Sequence, residues 1–228
     1  MIIIGLTDIH DDTKKLENIS ADLSKAGVVI ISGDLTHFGH KTEAALVINE
    51  IRKYNKNILA VPGNCDHPDV SAYLTAEGIN LHCQCLIKNE IAFLGIGGSL
   101  PCPGHTPNEA TEDELGAWLD EAVAGLDPAI PLIMVSHQPP WGTLVDKILN
   151  GAHTGSLAIR DFILKKQPLI CFSGHVHEGR GVDSLGKTKL INPGPLREGR
   201  YAYAEIENQP VGKPVDVKIK VLRVKTFF

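Results

Sequence analysis

Residues 1–10 read Met1-Ile2-Ile3-Ile4-Gly5-Leu6-Thr7-Asp8-Ile9-His10, and the fold can be read outward from them. Ile2–Leu6 is too short for an ordinary helix. It is nearly continuous in apolar character, as a strand covered on both faces must be. The run ends at Thr7-Asp8, and a helical pattern follows over residues 12–26, closed by Gly27 in the usual manner of a helix end. Val28–Ser32 then repeats the pattern and ends in Gly33-Asp34, with a helix expected at 41–54. Ile58–Val61 repeats it again, ending in Gly63-Asn64-Cys65-Asp66 before a helix at 69–77.

Further strands are expected at Ile91–Ile96, Leu132–Ser136, 169–172, 189–191, 201–206 and 215–224, with helices at 111–126 and 156–166. Thr111-Glu112-Asp113-Glu114 is a capping box, in which Glu114 reaches back to the Thr111 amide. Strand–helix alternation followed by mostly strands after residue 168 predicts an α/β fold with a meander-like end. Its length of 228 residues is that of one domain, spanning residues 1–228. The run from Gly97 to Pro107 holds three prolines and three glycines, and reads as a long loop, either an active-site flap or a surface connection.

Composition narrows the function. Lys+Arg 22 against Asp+Glu 27 leaves a net charge of -5, which argues against a nucleic-acid partner. The apolar opening has no basic leader and is too short for a signal peptide, and no later run approaches the length of a membrane span. Five cysteines cannot all pair, and the Cys83–Cys85 spacing is not that of a zinc site. A soluble, cytoplasmic protein with reduced thiols is the expectation.

Position matters more than composition. Asp8 and His10 follow the first strand, Asp34 the second, Asn64 and Asp66 the third, while His137 and the pair His175 and His177 follow two later ones. Five apolar strands thus end in metal-capable residues, usually beside a glycine that permits a sharp turn. Ligands of α/β sheets bind beyond the carboxyl ends of strands. Asp8 and His10, like His175 and His177, are two apart and would share one side of an extended chain. Seven oxygen and imidazole donors exceed one tetrahedral zinc and suit two metals sharing a carboxylate.

The ordered set D-x-H, G-D, G-N-x-D, a lone His and G-H-x-H resembles the calcineurin-like metallophosphoesterase superfamily, from Asp8 to His177. The resemblance implies a sandwich of two mixed β-sheets flanked by helices. It implies that Asp8, His10 and His177 bind one metal, that Asn64, His137 and His175 bind the other, and that Asp34 bridges them. It implies two divalent ions, manganese foremost, with iron, zinc, nickel or magnesium as the others. The implied reaction is hydrolysis of a small phosphate ester by metal-bound hydroxide attacking phosphorus.

One position departs from the pattern. Many members carry G-N-H-[DE], whereas Gly63-Asn64-Cys65-Asp66 puts a thiol where an imidazole acid would stand. The likeness to a bacterial and archaeal branch with this G-N-C-D tetrad favours phosphodiesters over phosphomonoesters, since activated leaving groups need less protonation. Cys65 and Asp66 remain catalytic candidates, and His37 or His153 is expected to enter the site as the missing acid. Arg180, Arg197 and Arg200 are candidates for phosphate contacts. Asn192-Pro193-Gly194 reads as a tight turn. The competing reading is a non-catalytic scaffold on the same fold. No membrane partner is expected, and the branch includes dimers.

Overall fold

A computed structural model describes residues 1–208 and 217–227. The elements run β1 (Ile2–Leu6), α1 (Ser20–Lys25), β2 (Val28–Ser32), α2 (Lys41–Arg52), β3 (Ile58–Val61), α3 (Pro68–Ala76), β4 (Gln84–Lys88), β5 (Ile91–Ile96) and α4 (Glu112–Ala122). They continue with β6 (Leu132–Ser136), α5 (Leu157–Lys166), β7 (Ile170–Phe172), β8 (Gly181–Leu185), β9 (Thr188–Asn192), β10 (Arg200–Asn208) and β11 (Val217–Thr226). One sheet has the order β11-β10-β1-β2-β3 and the other β4-β5-β6-β7-β9-β8. Both are mixed. β1, β2 and β3 run parallel, as do β5, β6, β7 and β9, while β10, β11, β4 and β8 join antiparallel.

Alternation along the strands builds the layers. Ile3, Ile30, Leu59 and Val61 of one sheet meet Phe93, Ile133, Val135, Ile170 and Phe172 of the other in a central core. The opposite faces of the same strands carry Ile4, Leu6, Val29 and Ile31, packed on Leu23, Val47, Ile48 and Leu74 of the first three helices. Leu94, Ile96 and Met134 pack in the same way on Leu115, Leu119, Ile159 and Phe162 of α4 and α5. Covered on both faces, the inner strands read as continuous apolar runs. The layers are therefore helix, sheet, sheet, helix. The two sheets approach closely at Gly5, where an added Cβ would lie 2.8 Å from the Phe172 ring.

Several local expectations change. The helix expected at 12–26 is a 3₁₀ turn, Leu16–Ile19, running into the short α1. Asp12 accepts from the Lys14 amide, an Asx-type turn that competes with helix there. Gly27 does not form a left-handed cap, because Ala26 ends α1 in extended backbone (φ -66, ψ 134). The glycine makes room instead for Met1, whose Cγ would be 2.7 Å from an added Cβ. β4 and β8, the two edges of the larger sheet, are not legible in the sequence, since half-exposed Gln84–Lys88 and Gly181–Leu185 lack a long apolar run. Of the strand expected at 215–224, residues 215 and 216 lie outside the described residues. The capping box is present, with the Glu114 amide donating to Thr111 Oγ1 and the Thr111 amide to Glu114 Oε2.

Candidate metal centre

The loops after β1, β2, β3, β6 and β7 bring Asp8, His10, Asp34, Asn64, His137, His175 and His177 to one place at the carboxyl edges of both sheets. The spacing argument of alternate residues on extended chain does not apply here. Asp8, His10, Asp34 and His175 have φ of 50, 48, 51 and 64°, in the left-handed region. That conformation costs about 1–2 kcal/mol per residue, and Asp and His are among the side chains that tolerate it. His175 consequently faces Asn64, while His177 faces Asp8. The adjacent glycines serve close approach as much as turning. A Cβ on Gly63 would fall 2.0 Å from Asp34 Oδ1, and one on Gly174 would fall 1.8 Å from Thr7 Oγ1.

The donors divide into two sets about Asp34. In one, His177 Nε2 lies 3.3 Å from Asp8 Oδ1, and His10 Nε2 lies 3.7 Å from Asp34 Oδ2. In the other, Asn64 Oδ1 is 2.8 Å from His137 Nε2 and 2.9 Å from His175 Nδ1, while His137 Nε2 is 3.4 Å from Asp34 Oδ1. Each Asp34 oxygen faces a different imidazole. The rings pair likewise, His10 with His177 at 5.7 Å and His137 with His175 at 5.2 Å between centroids.

Tautomers can be read from the partners. His137 Nδ1 is 2.7 Å from the Ser32 carbonyl and His10 Nδ1 is 3.2 Å from the Thr36 carbonyl. A carbonyl only accepts, so both Nδ1 atoms donate and both Nε2 atoms carry lone pairs inward. Burial pushes the pKa of His137 and of His10 down and that of His175 down to about 3, so these rings are neutral. Neutral His137 then turns its Nε2 lone pair on Asn64 Oδ1, an acceptor too. Buried acceptors facing one another without a proton between them are relieved by a cation. The residues therefore fit divalent metal.

The carboxylates are tuned in opposite directions. Asp34 is raised well above the carboxylate range by burial first and by Asp8 and Asp66 next. Burial pushes Asp8 up as well, but the His177 hydrogen bond first, and the imidazoles of His137, His177 and His10 around it, outweigh burial and bring Asp8 down to about 2. His177 is raised by its bond to Asp8. Burial, then the charge of Asp34, pushes the Cys65 thiol far up, so it holds its proton and offers no thiolate.

The other candidates separate. His37 lines the same pocket, about 320 Å³, with its ring 5.6 Å from His10. Cys65 lines it too. His153 does not; its Nδ1 is held 2.8 Å from Asp146 Oδ1, and Asp146 also accepts from the Gly142, Thr143 and Gly155 amides. Asp66 is fully buried and spends its oxygens on the Gly63, Leu35 and Thr36 amides and the Thr36 hydroxyl, tying the loop after β2 to the loop after β3.

Arg197 lines the metal pocket, whereas Arg180 lines a separate groove. Asn192 is structural: its amide donates 2.8 Å to the Val176 carbonyl, between the two histidines, and its Oδ1 accepts from Gly194. Cys102 is a residue that sequence reasoning misses. It brings the 97–107 loop to the site, with Sγ 3.7 Å from His175 Nε2 and 3.3 Å from the Leu100 carbonyl. Nothing in Pro101-Cys102-Pro103 signals that contact.

The family model for calcineurin-like phosphoesterases matches residues 1–179. The chain is 36% identical over 215 residues to an uncharacterized protein of Methanocaldococcus jannaschii, covering 92% of this chain and 95% of the other. A Thermus thermophilus protein superposes with a TM-score of 0.70 at 18% identity, over 89% of this chain and 92% of that one. A dimetal phosphatase from Danio rerio superposes with a TM-score of 0.67 at 14% identity, over 98% and 96%. At these identities the two structures speak to the fold alone.

Proposed function

The chain belongs to the calcineurin-like phosphoesterase family, and from that premise we propose that it is a phosphohydrolase with two divalent cations, acting on phosphodiesters in preference to phosphomonoesters. The observation that carries the reading is Asp34, whose two oxygens face two separate sets of imidazoles. Asp8, His10 and His177 would hold one cation, Asn64, His137 and His175 the other, with Asp34 shared. Bound there, the cations supply charge neutralisation and a water of lowered pKa.

The remaining work falls to the chain. Carbonyls of Ser32 and Thr36 fix the rings of His137 and His10, so the donors need little reorganisation. Arg197 brings a guanidinium to the pocket wall, suited to a phosphoryl oxygen. His37, exposed in the same pocket, is the imidazole placed to give a proton to the leaving oxygen. Cys65 keeps the position beside Asn64 neutral. The diester preference is an expectation from the branch with the G-N-C-D tetrad, and two observations are compatible with it. A protonated thiol stands where an imidazole acid would help a poor leaving group, and Arg197 is the one Arg or Lys among the described residues lining the pocket. A diester monoanion asks less of both than a monoester dianion.

Manganese is the proposed metal, and the same imidazole and carboxylate set also accommodates iron, zinc, nickel or magnesium. The substrate is a small phosphate ester. No described helix is long and apolar enough to cross a membrane. Five free thiols fit a reducing cytoplasm.

The test pairs metal analysis with hydrolysis of bis(p-nitrophenyl) phosphate and p-nitrophenyl phosphate, with Mn²⁺ and after chelation. Metal-dependent cleavage, faster on the diester and reduced at least about 10³-fold by Asp34→Asn, is the expected result. Faster monoester cleavage would reverse the preference. Absence of bound metal under every condition would overturn the reading.

A further inference from the structure

Two cavities meet at Cys102 and His175. One is the metal pocket. The other, about 400 Å³, is walled by Leu100, Pro101 and Pro103 of the loop after β5, by Ile148 of the segment after β6, and by Val176. Its polar side chain Gln138 is already committed. The Gln138 Oε1 accepts from the Leu100 amide at 3.1 Å, and Nε2 donates to the Thr154 carbonyl at 2.7 Å. Those two bonds join the walls and leave apolar surface facing inward. Glu178 is the one carboxylate among the described residues that line this chamber, and no Lys or Arg does. Lys147 and Arg180 line the adjoining, more open groove, which shares Ile148 and Glu178 with this chamber.

A group bonded to a phosphorus in the metal pocket reaches this chamber by crossing the Cys102–His175 ridge. Apolar walls favour apolar surface there. A wall that offers a carboxylate and no Lys or Arg gives a second phosphate or a carboxyl group nothing to pair with. We propose that the chamber receives one ester group of the substrate. The substrate class is then a phosphoester bearing a neutral, apolar group of ring size, as opposed to a polyphosphate or a phosphorylated acid. The inference rests on the phosphoesterase reading above, since His175 belongs to both cavities.

Phosphonates test it without turnover. Methylphosphonate and phenylphosphonate present the same head group and differ only in what would enter the chamber. Calorimetric titration into the Mn²⁺-loaded protein should find phenylphosphonate bound at least about tenfold more tightly. Ile148→Glu, which puts charge into the wall, should bring the ratio towards one, and Ile148→Ala should lower it less. Circular dichroism would verify that both variants are folded. Equal affinities in the parent protein, or an undiminished preference in both variants, would overturn the chamber assignment and leave the metal site standing. Failure of both phosphonates to bind would instead bring down the phosphoesterase reading, and the chamber with it.

Discussion

His37, three residues after Asp34, and His153, in Gly151-Ala152-His153-Thr154-Gly155, are equal candidates as sequence. Space separates them. His37 shares the metal pocket with His10, whereas His153 is bonded to Asp146 and holds the 140–155 segment in shape. Cys65 is beside Asn64, but burial and Asp34 bind its proton so firmly that it is a poor donor near neutrality. These placements predict unequal effects. Cys65→Ala should change kcat less than about tenfold, while His37→Gln should lower it about 10²-fold on an alkyl leaving group and far less on p-nitrophenolate. A leaving-group series on both variants measures this, and loss at Cys65 with none at His37 would assign the proton to the thiol. The candidate metal ligands are legible because Asp, Asn and His carry their chemistry in the residue type. The role of Asp66 is not, because its partners Leu35 and Thr36 are 31 and 30 positions away.

At the scale of elements, the strands that build the site are readable to within a residue or two, since a run covered on both faces must be apolar throughout. Edge strands β4 and β8 escape because one covered side asks for less. α4 shows how elements support each other. Glu112, in its first turn, accepts from the Leu157 amide at 2.8 Å and the Ala158 amide at 2.9 Å, capping α5 from a neighbouring helix. Both helices cover the sheet that carries His137 and His175. Glu112→Ala should therefore cost about 1–2 kcal/mol and lower Tm by roughly 2–4 °C per kcal/mol. Thermal denaturation monitored by circular dichroism checks the value, and an unshifted Tm would mean that the cap contributes nothing.

The whole molecule gathers several carboxylates and imidazoles in a buried space, and metal-free stability reflects that. Asp34 is raised by burial and by Asp8, so its favourable contribution is present below the unfolded value near 3.9 and lost as pH rises through the raised folded value. His177, raised above 6.5 by Asp8, has the same sign and loses its contribution as pH rises through its own folded value. Cations favour the deprotonated forms, so the gain in Tm from Mn²⁺ should grow between about pH 5.5 and about pH 8. Scanning calorimetry with and without Mn²⁺ measures it, and a gain flat across that range would contradict the assigned ligands. By itself, the sequence determined the alternation of strands and helices, the order of the candidate ligands and the departure at Cys65. Each of those is written in residue type or in periodicity over a few positions. Tertiary structure alone decided that Asp66 braces two loops, that His37 and not His153 shares the pocket, and that Cys102 meets His175. Such contacts join loops far apart in the chain, and only the packing of one sheet on the other sets the distances between them.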